Sequence, residues 1–296
     1  MTDSTVLFDA PGPRGRRLIA IGNVVGVLVV VGGLAVVVRA FAENGQLDGA
    51  LWSPLLTADA WKNFYLPGLV STLEAAAASI ALALLFGLVF GLGRLASSRW
   101  VRAASGTVVE FFRAVPVLLM MIFFSLFFAY NGVFQSQYIP FFAVVVSLML
   151  YNGSVIAELV RSGVHNLPRG QREAGLAIGL TTGQSLRTVE VPQALSAMLP
   201  ALLSQLVVAL KDSALGYAIG YTELLQQSRR LGAAHGNILQ SLLVAAVIFV
   251  IVNYTLTTLA QRVRRRRRHH HADGGEPGAA GGIVGATPPP IPAPAR

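Results

Sequence analysis

The 296-residue sequence contains no cysteine, which excludes a disulfide framework, a thiolate metal site and a cysteine nucleophile. Lysine is almost absent too, occurring only as Lys62 and Lys211, and charged residues make up just 12% of the chain. No Gly-Lys pair occurs anywhere, so the phosphate cradle G-x-x-x-x-G-K-[ST] is excluded. No other enzyme chemistry is legible, so no catalytic residue is expected. His165 and His235 stand singly between apolar stretches, and no metal site is expected either. What remains is apolar: 54% hydrophobic residues and a mean hydropathy of +0.61. Few soluble domains of this length approach those values, and a membrane protein is implied.

The apolar residues come in runs. Residues 18–38 carry no charge, and 21 residues span about 30 Å as a helix. A signal peptide has a shorter apolar region and a small-residue cleavage site, so this run is read as a retained first span. Further spans are expected at 69–92, 114–130, 139–160 and 238–260, and a fifth of the six begins at 194–210. Pro200 is a potential kink in that fifth span, Lys211-Asp212 interrupts it, and 213–222 is too short to cross alone. The fold class is therefore an all-α membrane protein with six transmembrane helices. Trp52, Trp61 and Tyr65 suit an interfacial belt. Residues 1–17 read as a flexible basic leader, 18–40 as an extra N-terminal helix, and 263–296 as a basic and then disordered tail.

Arginine sets the orientation. With the N-terminus inside, 18 of the 23 basic residues fall in cytoplasmic segments, and Arg39, Lys62, Arg229 and Arg230 fall outside. The positive-inside rule thus puts both termini in the cytoplasm of a multi-pass protein of the cytoplasmic (inner) membrane. The run Arg264–Arg268 suits an anchor on anionic membrane lipid. Nucleic acid is not an expected partner, because no aromatic residues are interleaved to stack on bases.

One polar stretch organises the rest. Residues 171–192 read QREAGLAIGLTTGQSLRTVEVP between apolar runs, and their charges cannot lie in hydrocarbon. Asn166 and Pro168 suit a helix start, Gly179 a left-handed helix end, and Thr181 with Gln184 a capping box for a second helix. Ala174 and Ile178 lie four apart and form an apolar face. An amphipathic elbow of this kind is built to touch something outside the membrane.

The elbow also resembles the cytoplasmic coupling loop of permease subunits in binding-protein-dependent ABC importers. Their pattern runs Glu-Ala-Ala, three residues, Gly, nine residues, Ile-x-Leu-Pro. Here it reads Glu173-Ala174-Gly175, Gly179, and Val189-Glu190-Val191-Pro192, with both gaps intact and three small or apolar departures. Other blocks narrow the resemblance to polar amino acid permeases. Glu110 with Arg113-Ala114-Val115-Pro116 is similar to their Arg-Gly-Thr-Pro signature, with Ala114 and Val115 departing. Tyr151, Glu158, Arg161, Gly163, Val164, Pro168, Gly170-Gln171 and Glu173-Ala174 resemble their Tyr-x-x-Glu-x-x-Arg-Gly-Gly-Ile and Gly-Gln-x-Glu-Ala run. Tyr151 lies further from Glu158 than that pattern prefers, and Ser162 replaces a Gly. Lys211-Asp212-Ser213-Ala214-Leu215 resembles Lys-Asp-Thr-Ser-Leu with two small-residue changes. The resemblance covers about residues 66–262, with the coupling loop at 166–192. Beyond it, the leader VLFDAPGPRGRR and the extra first span resemble the second permease subunit of actinobacterial glutamate importers.

The resemblance implies a type I ABC importer permease fold and the transport of a polar amino acid, glutamate fitting best. It implies no cofactor in this chain, ATP and Mg being bound by a partner cytoplasmic ATPase dimer. Its other implied partners are a second permease subunit and an extracytoplasmic amino acid binding protein. Gln171, Glu173, Ala174, Gly175, Gly179 and Pro192 would couple to the ATPase. Arg113, Glu158, Arg161, Lys211, Asp212 and Ser213 would belong to the substrate pathway. Lys211 and Asp212 have the signs to meet an amino acid's two charges, or else pair with each other or with backbone at a broken helix. Glu158 and Arg161, three apart, form either a solvated interfacial pair or a gate contact. The alternative from another class is an ion-coupled secondary transporter, which would want internal repeats with matching helix breaks; only one break is legible.

Overall fold

A computed structural model describes residues 12–272, and among these the regular structure is entirely helical. Helix α1 covers Pro13–Glu43, starting inside the basic stretch, with proline in its first turn where a missing N–H costs nothing. Short turns follow at Gly49–Trp52, Ser53–Leu56 and Ala58–Ala60, before α2 at Leu66–Gly93. Next come α3 (Arg99–Ala114), α4 (Val117–Tyr130) and α5 (Ile139–His165). The elbow holds α6 (Arg169–Ala177) and α7 (Thr182–Ser185), and leads into α8 (Val191–Asp212). The described chain ends with α9 (Leu224–His235) and α10 (Ile238–Ala272), the latter carrying the arginine run within its helical backbone. Residues 1–11 of the expected leader and 273–296 of the expected tail lie outside the described residues.

Among the described residues five helices are long and apolar enough to cross a membrane, and a sixth crossing exists if α3 and α4 are one bent span. The span expected at 114–130 is therefore corrected. Helix α4 has 14 residues, about 21 Å and short of a crossing. It meets the amphipathic α3 at 99°. Pro116 causes the bend: it lacks an N–H and holds Val115 in extended backbone (φ −81°, ψ 128°), so the helix cannot run through.

Two other prolines do not stop their helices. Pro67 and Pro192 each follow by two residues a wide π turn, at Trp61–Tyr65 and Leu186–Glu190. The wider turn shifts the backbone partners, so the proline ring and its missing donor are accommodated. As a result 58–93 and 182–219 run as continuous helices of 36 and 38 residues. The fifth span thus begins in the elbow itself, twelve residues before the position 194 expected from hydropathy.

Helix α5 is the hub, with 61% of its apolar window buried against 33% for the span containing α2. These two helices approach closely because both present glycine. A Cβ at Gly91 would sit 2.9 Å from Val160 Cβ, and one at Gly153 would sit 2.8 Å from the Phe86 ring. Small residues at such contacts replace the hydrophobic drive that lipid does not provide. By contrast, no residue of α1 is buried.

The end of the bundle away from Arg94 is tied by polar contacts. Tyr65 hydroxyl and Ser241 Oγ lie 3.2 Å apart, and Asn237 Nδ2 donates to Leu51 O at 2.6 Å. Tyr65 is only 1% exposed, within a cluster of Leu55, Leu224, Leu231, Ala245 and Ile248. It is a core residue and not part of the expected interfacial belt, because α9 folds back over it. Trp52 is half-buried in the same cluster, donating to Gln46 O at 3.1 Å, and Trp61 keeps the partly exposed position expected of it.

Candidate functional site: the elbow and its ion cluster

The elbow folds locally for reasons written in its residues. Helix α6 ends in a paired cap: Gly179 N–H donates to Leu176 O at 3.0 Å and Leu180 N–H to Gly175 O at 3.1 Å. Gly179 has φ +88°, the left-handed conformation that glycine enters without a Cβ penalty. The capping box is formed, with Thr181 N–H donating to Gln184 Oε1 at 2.8 Å and Gln184 N–H to Thr181 Oγ1 at 3.4 Å. Asn166 is a correction. It closes α5, its N–H bonding Ser162 O, and Pro168 alone precedes α6.

The departure at Gly175 has a structural counterpart. Gly175 is buried, and a Cβ there would lie 2.7 Å from Ser185 Oγ. That hydroxyl donates to the buried Glu190 carboxylate at 3.0 Å. Gly175, Ser185 and Glu190 therefore lock α6 onto the root of α8. Gln171 adds a second tie, accepting from Gln193 Nε2 at 2.9 Å. Pro192 is exposed in the first turn of α8.

The other face of α6 is open. Glu173 and Ala174 are exposed, with Leu176 43% and Ile178 78% accessible. Among the described residues Glu173 makes no ion pair. The elbow is rigid on its inner side and bare on its outer side.

Beside it, α2, α3 and α5 converge on one carboxylate. Glu158 is paired to Arg161 at 2.6 Å, to Arg94 at 2.9 Å and to Arg113 at 3.7 Å. Arg94 also reaches Glu110 at 2.9 Å. The expected Glu158–Arg161 pair is thus one edge of a five-residue network. In the sequence Arg94 is one of the arginines that set the orientation and Glu110 is one letter of a motif. Their chain separation from Glu158 hid the contact, and the only available signal was an arginine closing α2. Arg94 is 12% exposed, so this is a part-buried network and not an isolated surface pair of negligible worth.

The Lys211-Asp212 break is corrected. Helix α8 continues through both residues, tightens to a 3₁₀ turn over Ser213–Ile219, and ends at Gly220 with φ +81°. Helical backbone persists until the first glycine placed to leave it. Lys211 is exposed, Asp212 half-buried, and Ser213 buried with its hydroxyl donating to Leu210 O at 2.7 Å. Lys211 and Asp212 form no ion pair with each other, since neighbours on a helix point to different sides. These residues stand about 30 Å along α8 from the elbow, so the sequence's two groups of candidates form two separate places.

Comparison with known proteins agrees with this architecture. Residues 83–269 match the family described as binding-protein-dependent transport system inner membrane component. The chain is 46% identical over 220 residues to the glutamate transport system permease protein GluD of Corynebacterium glutamicum, covering 74% of this chain and 81% of that one. It is 32% identical over 197 residues to the glutamine transport system permease protein GlnP of Escherichia coli K12, covering 66% and 89%. Among solved structures, an amino acid ABC transporter with histidines matches with a TM-score of 0.65 at 25% identity, covering 72% of this chain and 98% of that one. The inward-facing MetNI methionine ABC transporter shares the fold, with a TM-score of 0.59 at 24% identity, over 68% and 94%. The chain belongs to the family of inner-membrane permease components of binding-protein-dependent ABC importers, in its polar amino acid branch.

Proposed function

We propose that this amino acid ABC importer permease moves glutamate inward and is driven by a separate ATPase that docks on the elbow at 166–192. The observation that carries the reading is the elbow itself: a helix locked to the root of α8 on one side, with Glu173, Ala174, Leu176 and Ile178 bare on the other. A displacement of such an element is delivered directly to a 38-residue membrane helix. The arginine-rich end, including the elbow, faces the cytoplasm together with both termini.

In this reading the chain pairs with a second permease subunit, and an extracytoplasmic binding protein delivers the amino acid to the opposite end. ATP and Mg are held by the ATPase dimer. Its closure on ATP moves the elbow and switches the permease halves from inward- to outward-facing, and hydrolysis resets them. The Glu158 network would hold the cytoplasmic ends of α2, α3 and α5 together during that motion. Lys211 and Asp212 lie beyond the midplane of α8 and offer the substrate path an ammonium and a carboxylate. Glutamate is supported by the relative carrying glutamate in its name and by its 46% identity.

The test is co-purification followed by transport. The full chain is isolated with its associated subunits, reconstituted in liposomes and offered radiolabelled glutamate, glutamine and arginine with ATP inside. Glutamate uptake that depends on ATP and on a binding protein is expected. Uptake that proceeds without an associated ATPase would overturn the reading.

A further inference from the structure

The inner side of the elbow encloses a second feature. A cavity of about 590 Å³ lies between α6 and the turn that follows α2. Its lining includes Arg94, Arg102, Arg169 and Arg172, and the one acidic side chain there is Glu190. Glu190 already accepts the Ser185 hydroxyl, and Arg94 is engaged by Glu110 and Glu158. Arg102 spends one N–H on Ala96 O at 2.8 Å. Among the described residues, Arg102, Arg169 and Arg172 form no ion pair. Three guanidinium groups thus share one cavity with a single carboxylate that pairs with none of them, an excess of positive charge that a bound anion relieves.

Position indicates which anion can reach it. Arg102 belongs to α3, an amphipathic helix with Trp100 74%, Val101 48% and Phe111 60% exposed. A helix of that pattern lies in the membrane interface, with tryptophan at headgroup depth. Arg102 thus ties the cavity to a helix at the depth where lipid phosphate groups are concentrated. The geometry points to a binding site for a phosphate-bearing anion, held by Arg102, Arg169 and Arg172 between the elbow and α3. The anion is either the headgroup of an anionic phospholipid or free phosphate. It bridges the coupling elbow to the interfacial helix, a role separate from substrate transport and independent of which amino acid is carried.

The experiment uses the full chain in nanodiscs of equal phosphatidylglycerol and phosphatidylcholine, released into detergent for native mass spectrometry. The parent is expected to retain phosphatidylglycerol over phosphatidylcholine by about tenfold or more, as three interfacial arginines allow. With Arg264–Arg268 changed to Gln in every chain compared, so that this run contributes no lipid affinity of its own, Arg102→Gln/Arg169→Gln/Arg172→Gln is expected to lose that preference, and Arg14→Gln/Arg17→Gln in α1 to keep it. Millimolar inorganic phosphate separates the sources on the parent itself. Lipid that survives it identifies the headgroup as ligand, and lipid displaced by it, with a rise in Tm over equal chloride, identifies free phosphate. The site is overturned if the parent shows neither lipid preference nor phosphate stabilisation. It is equally overturned if the triple variant binds like the parent, or if the α1 variant loses as much as the triple.

Discussion

Arg94 at the end of α2 and Glu158 in α5 stand 2.9 Å apart, and this contact joins two helices that glycine has already brought close. The same carboxylate holds Arg161, and Arg94 carries the link on to Glu110 in α3. One residue therefore gathers three helices at the end where the elbow leaves the bundle.

Removing that residue's charge leaves Arg161 and Arg113 without a paired carboxylate and Arg94 with Glu110 alone. Glu158→Gln is expected to lower the stability of the purified chain by about 1–3 kcal/mol, the usual cost of leaving part-buried polar groups without partners. It is also expected to raise ATP hydrolysis in the absence of substrate, because these ends of α2, α3 and α5 are no longer held together. Thermal melting and basal ATPase assays on the reconstituted complex check both outcomes. An unchanged Tm would assign the network no mechanical role.

At Gly179 the strain argument is separable from packing. Nothing lies within 4 Å of a Cβ placed there, so the penalty comes from φ +88° alone. Gly179→Val is expected to cost roughly 1–2 kcal/mol or more locally and to misplace α6. The variant should reach the membrane at the parental level yet lose ATPase in co-purification, and Glu173→Lys should weaken docking through charge reversal. Parental ATPase content and uptake in both variants would show that the elbow is not the coupling element.

Lys211 is exposed along α8 and forms no ion pair with Asp212. Lys211→Met is expected to cut uptake by about tenfold or more, the loss of one charge-assisted contact to a substrate carboxylate. Its melting temperature should stay near the parental value, since the exposed side chain makes no hydrogen bond or ion pair among the described residues. Normal uptake kinetics in this variant would remove Lys211 from the pathway.

Glu223 offers a pH test away from the spanning segments. Its carboxylate caps α9, accepting from Leu225 and Gln226 N–H groups at 2.7 Å. Burial nevertheless pushes its pKa up to about 7 from 4.5, the two backbone bonds opposing only in part. The folded chain therefore binds a proton more tightly than the unfolded chain. The associated stability is complete below about pH 4.5 and is lost as pH rises through about 7, up to about 3 kcal/mol. Melting of the parent should decline between pH 5 and 8, and Glu223→Gln should decline less. Parallel curves for the two would show that Glu223 does not drive the slope.

Much of this molecule follows from short-range chemistry. Charge-free length and arginine asymmetry suffice to read a multi-pass membrane protein. Thr181, Gln184 and Gly179 specify their caps within a few residues, so those caps could be read from the letters. The structure departs from local preference at equally local positions. The elbow is expected to end at Pro192 and the span to begin at 194, and a π turn carries the helix through. Lys211-Asp212 was expected to break α8, and the helix waits for Gly220. In each case a residue's intrinsic preference was outweighed by backbone hydrogen bonds that a low-dielectric surrounding makes costly to lose.

What tertiary structure alone decided is which distant residues meet. The span lengths and the amphipathic elbow are properties of consecutive residues, whose periodicity the sequence displays directly. The Glu158 network, the burial of Tyr65 under α9, and the arginine cavity behind α6 depend on how helices pack. That packing is set by the small-residue contact of Gly87, Gly91 and Gly153, which puts the ends of α2 and α5 side by side. Coulomb attraction acts over a few ångströms, and only after that approach does Arg94 find Glu158.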